Sequence, residues 1–127
     1  MREKEIKMVN KLIENTQNYK LVWEEAVRKK ATLLDTYFTT IPENDVNITI
    51  GIEQDFTSSN SVAVLTMWKK DENKKRKIFG DVLCKIKEEI KDTSDSVLYK
   101  LYEAAKDSAN TATNAEIDNV YSTIFNM

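Results

Sequence analysis

Gly and Pro supply three of the 127 residues, Pro42, Gly51 and Gly80, and all three fall in one stretch. An average chain carries about 12% of the two together. Nothing upstream of Pro42 or downstream of Gly80 therefore forces the backbone out of a helix. The chain divides into two helix-permissive flanks and one bracketed segment where strands and turns are expected.

Within the bracket, Val46, Ile48, Ile50 and Ile52 alternate with Asn47, Thr49, Gly51 and Glu53. That is the period of a half-buried strand. Past the polar run Asp55–Asn60, Ser61–Trp68 is rich in β-branched and aromatic residues and reads as a second strand. The short connection makes the pair an antiparallel hairpin. Ile78-Phe79, beyond the turn residues Asp71-Glu72-Asn73, would add a short third strand. Gly51, inside a strong strand, predicts a bulge or a close backbone approach.

The flanks read as helix. Ile6, Val9, Ile13 and Thr16, then Trp23, Val27, Ala31, Leu34 and Phe38, recur at helical steps across residues 3–38. The polar insert Asn15-Thr16-Gln17-Asn18 predicts a break, with Asn18 capping the second piece. Ile41 before Pro42 would close that piece. Phe79, Leu83, Ile86 and Ile90 predict a helix after Gly80. Another starts near Ser94 or Asp95, buries Leu98, Leu101, Tyr102 and Ala105, and fades at Asn110. Thr113-Asn114-Ala115-Glu116 has the form of a capping box. It would open a last helix whose apolar face, Ile117, Val120, Tyr121, Ile124 and Phe125, is expected to pack on the body. The predicted class is α+β: a single domain, 1–127, mostly helical, with a small antiparallel sheet packed between N-terminal and C-terminal helices. The sheet is a hairpin or three strands spanning residues 46–79.

The chemistry suggested by composition is sparse. Histidine is absent, which removes the commonest general base and metal ligand. The lone Cys84 can form no intramolecular disulfide and fits a reducing compartment. Two isolated glycines cannot make a phosphate loop. No metal, cofactor or catalytic residue is assigned. Glu24, Glu25 and Asp35 read as a solvated helical face, the default for carboxylates, with Glu24 spaced to pair with Arg28. The start of the chain, MREKEIKMVNK, lacks the apolar core of a signal peptide. No apolar run reaches the roughly 18 residues of a membrane span, so a cytoplasmic protein that avoids membranes is expected.

Net charge is −2 but unevenly spread. Residues 41–68 hold four anions and no cation, whereas residues 69–77 hold six cations and two anions. Lys69, Lys70, Lys74, Lys75, Arg76 and Lys77 would form a cationic tip with Trp68 at its base. Phe56, alone in a polar loop, is the other candidate contact residue. These features favour a non-enzymatic protein that binds another protein. An inhibitor, immunity or regulatory factor of a bacterial or phage accessory genome would fit, the Lys-over-Arg bias suggesting an AT-rich source. The alternative is nucleic-acid binding through the tip, where lysines would displace counterions from phosphates. No aromatic interleaves those cations to stack bases. A small-ligand binder or enzyme built on carboxylates is the third reading. Surplus apolar surface suggests a homodimer.

Overall fold

A computed structural model of the chain describes residues 1–26, 36–54, 60–70 and 80–127. Among these, helix α1 (Glu3–Gln17) is followed by β1 (Glu24–Glu25), β2 (Thr36–Ile41) and a 3-10 turn (Pro42–Asn44). Then come β3 (Val46–Gln54), β4 (Ser61–Lys69), β5 (Val82–Glu89) and helix α2 (Val97–Phe125). The strands form one antiparallel sheet in chain order, β1-β2-β3-β4-β5.

Period-2 alternation sorts the sheet residues into two faces. In register, Tyr37 pairs with Ile50 and Ile50 with Leu65, which pairs with Ile86. These residues, with Ile48, Ile52 and Ala63, face the helices and join Val9, Leu12, Leu98, Leu101, Tyr102, Ala105 and Ala109 in one core. The opposite face is rich in threonine. Thr49 and Thr66 pair across β3 and β4 and are both buried. On this face the Trp68 indole N–H donates to Thr49 Oγ1 at 2.9 Å, and Thr40 Oγ1 donates to Asn47 Oδ1 at 2.7 Å.

Trp23 ties the helix layer together. It is fully buried, and its indole N–H donates to Thr16 Oγ1 at 2.9 Å while its backbone N–H donates to Ser108 Oγ at 3.0 Å. Thr16 in turn donates to Leu12 O at 2.7 Å. One residue thus links the end of α1 to the middle of α2 through its side chain and its backbone, and each of these buried polar atoms has a partner, as burial requires.

Several expectations are corrected. Among the described residues the sheet has five strands rather than two or three, and those residues are not mostly helical. The helices do not flank the sheet separately; α1 packs on α2, and α2 lies on the core face. The break predicted at Asn15–Asn18 is present, with α1 ending at Gln17, but Asn18 is the C-cap of α1 rather than the N-cap of a second helix. Residues 23–25 and 36–38, read as helical, belong to the sheet or its approach, and Glu24 and Glu25 are exposed on β1. All six residues of Thr36–Ile41 are β-branched or aromatic, and their packing on β3 outweighs the helical spacing of Phe38 with residues upstream. Residues 82–89 form β5, not a helix, because Cys84, Ile86 and Glu88 alternate inward along β4. The capping box at Thr113 does not form. Its hydroxyl donates to Ala109 O at 3.0 Å inside one continuous helix that begins at Ser96. Val27–Asp35 and the proposed strand at Ile78-Phe79 lie outside the described residues.

Gly51 behaves as a close approach without a bulge, since its pairing to Thr36 and Val64 is continuous. A Cβ there would lie 2.7 Å from Thr36 Oγ1. The sheet's irregularity is between Met67 and Trp68, opposite the start of β5.

Candidate functional site

Three features stand out on the surface. The first is the end of the sheet where the cationic segment begins. Lys69 and Lys70 are exposed there. The Lys69 N–H donates to Asp81 O at 2.7 Å and the Lys70 N–H to Asp45 O at 3.1 Å. These bonds gather the end of β4, the start of β5 and the β2–β3 turn into one corner. Trp68 is half-buried and pinned to Thr49, so its indole is a sheet-face residue. Phe56, Lys74, Lys75, Arg76 and Lys77 lie outside the described residues.

The second feature is a groove of about 600 Å³ between α1 and α2. Ile13, Tyr19 and Val22 form one wall and Ala104, Ala112 and Ala115 the other, with Lys100 and Asp107 also lining it. Tyr19 occupies the left-handed region (φ 61°), where glycine usually terminates a helix, and is exposed. Tyr102 of α2 makes tilted ring contacts with Tyr99 on the same helix and with Tyr37 of β2, at centroid spacings of 5.9 and 5.7 Å. Desolvation, reinforced by the Glu103 carboxylate that accepts its hydrogen bond, pushes the Tyr99 phenol above its ordinary range.

The third feature is α2 itself. Its start is held by Glu88 of β5. That carboxylate accepts the Ser96 hydroxyl at 2.6 Å and the Leu98 N–H at 3.0 Å, while Ser96 Oγ accepts the Tyr99 N–H at 3.1 Å. Just upstream, Asp92 accepts from the Ser94 N–H and hydroxyl at 3.0 and 2.8 Å, which lowers its pKa. Side chains of α2 are buried as far as Ala109, and every residue from Asn110 onward is exposed. Ile117, Val120, Tyr121, Ile124 and Phe125 are 42, 56, 55, 56 and 84% exposed. The face expected to pack on the body instead lines a projecting arm.

Among the described residues, no group of three His, Cys, Asp or Glu is placed to hold a metal, and no helix is long and apolar enough to cross a membrane. Cys84 is a half-buried free thiol beside Met67 at the edge of the core. Fold and surface together define a two-layer α+β protein with an extended apolar helical arm. Comparison with protein-family models, curated proteins and solved structures gives no match.

Sequence reasoning located the arm's apolar residues but not their exposure. The available signal was their setting. Eight of the eighteen residues 110–127 are Asn, Thr or Ser, poor helix formers. The Glu88 clasp joins residues eight and ten apart across two elements and left no local pattern to find.

Proposed function

We propose that this protein performs no chemistry of its own and acts by binding a protein chain through the arm of α2, as a small cytoplasmic inhibitor, immunity or regulatory factor does. The observation that supports this reading is the row of large apolar side chains on residues 117–125, held in water by a helix rooted in the core. Monomeric proteins seldom expose a contiguous apolar patch of more than a few hundred Å² unless something binds there. The segment is also too polar between its apolar positions, and too short, to persist as an isolated helix.

The test is affinity capture from the native host with the wild-type chain and with Val120→Glu, each with and without nuclease. A stoichiometric protein that survives nuclease and is lost with Val120→Glu supports the reading. Binding that nuclease abolishes and Val120→Glu leaves intact would replace it with the nucleic-acid alternative.

A further inference from the structure

One line of α2 runs Lys106, Asn110, Thr113, Ile117, Val120, Ile124 and Met127, in alternating steps of four and three. All seven are exposed. This is the spacing of a two-helix seam, in which apolar residues repeat on average every 3.5 positions. From the structure we propose that the seam is covered by the same arm of a second copy, running antiparallel. The proposal rests on the protein-binding reading above and names the partner.

Three observations select this occupant. The first is self-complementarity. When two such arms are laid antiparallel with Ile117 opposite Val120 of the other copy, Thr113 meets Ile124 and Asn110 meets Met127, so four of the six seam residues in contact are large and apolar. Glu116 then falls beside Tyr121 and Thr123 of the other copy and Asp118 lies outside the seam, which keeps the arm's only two charges from opposing each other. The second is charge at the ends. Lys106 lies one turn beyond Asn110 on the same line, where the carbonyl end of the other arm arrives, and a cation is favoured at a helix C-terminus. In a parallel pair the two carbonyl ends would lie side by side.

The third is area. Each arm exposes roughly 600 Å² on the seam residues Ile117, Val120, Ile124 and Met127 and the flanking Tyr121, taking the usual 150–250 Å² of an aromatic side chain as the scale. Two arms together reach about 1,200 Å², the lower limit for a specific stable interface. The expected dimer is therefore weak, with a micromolar dissociation constant. The arms stand clear of the core, so pairing needs no rearrangement of either body.

Sedimentation equilibrium of the full chain from about 1 to 200 μM tests the proposal. The mass should rise from monomer to dimer across this range. Val120→Glu should hold it at monomer throughout, while Ser122→Glu, off the seam, should leave the transition in place. Direction is read from spin labels on Asn126→Cys in a Cys84→Ser background. Antiparallel arms put the labels about 25 Å apart and parallel arms about 10 Å, from the 1.5 Å rise and the 8–10 Å interaxial distance. Monomer at every concentration, a dimer that survives Val120→Glu, or labels about 10 Å apart overturns the proposal. A monomer that still captures another protein through Val120 overturns the self-pairing alone and leaves the protein-binding reading intact.

Discussion

Replacing Gly51 with alanine isolates the close approach of β2 to β3. The new methyl would sit 2.7 Å from Thr36 Oγ1 and 3.4 Å from Thr36 Cβ and Cγ2. Unstrained C···O contacts begin near 3.3 Å, so about 0.6 Å must be absorbed. Thr36 is β-branched and stiff at χ1, and rotating it exchanges the hydroxyl for a methyl. The backbone pairing on both sides of Gly51 opposes a shift of the strand. Overpacking of this kind costs about 1–3 kcal/mol. The loss of unfolded-state freedom on going from Gly to Ala returns about 0.4–1 kcal/mol. The net expectation for Gly51→Ala is a loss of about 1–2 kcal/mol. In a Thr36→Ala background only the 3.4 Å contact to Cβ remains, an ordinary van der Waals distance. There Gly51→Ala should be neutral or stabilising. Urea unfolding of the four proteins of the cycle, at one fixed concentration and followed by tryptophan fluorescence and far-UV ellipticity, measures the coupling. An equal cost of Gly51→Ala in both backgrounds would refute the contact as its cause.

Further expectations concern the two helix ends and acid stability. Glu88→Ala leaves the Ser96 hydroxyl and the Leu98 N–H without their acceptor, a loss of about 1–3 kcal/mol in urea unfolding, and Glu88→Gln should recover part of it. Tyr19→Gly relieves a left-handed residue that is 82% exposed and should raise stability by about 1 kcal/mol in the same assay. Asp92 has a lowered folded pKa because it accepts two bonds from Ser94. Its contribution is present above its unfolded value near 3.9 and is lost as pH falls from there through the folded value. Thermal melts of Asp92→Asn across the acid range should show a shallower decline than wild type in that window.

What could be read beforehand follows a physical division. The strands β3 and β4 were legible because both are central and nine residues long, and one face of each is fully committed to the core. The alternation of Ile48, Ile50 and Ile52 has no competing explanation. Strand β5 differs from its helical reading because, among the described residues, it lies at an edge. Lys85 and Lys87 fill its open face, the usual protection of an edge. That leaves Leu83, Ile86 and Ile90 as the salient apolar residues, at steps that also fit a helix. Strand β2 carried a usable signal in its six β-branched or aromatic residues, overridden by the spacing of Leu34 and Phe38. For the site, the arm was found as a helix face, but whether such a face is covered depends on contacts far away in sequence. Trp23 shows the same limit: its burial was expected, but not its bonds to Thr16 and Ser108, seven and 85 residues away.

The clasp between Glu88 and the start of α2 also has a mechanical consequence. Helix α2 is 29 unbroken residues, about 43 Å long at 1.5 Å per residue. A tilt of roughly 10° at Ser96 would sweep the far end through about 7 Å, more than the 5.4 Å pitch of a helical turn. The aim of the arm is thus set by its root, where the Glu88 clasp acts together with the buried face Leu98, Leu101, Tyr102, Ala105 and Ala109 and the Trp23 bond to Ser108. A shift of β5 that carried this root with it would be read out, magnified, at Phe125.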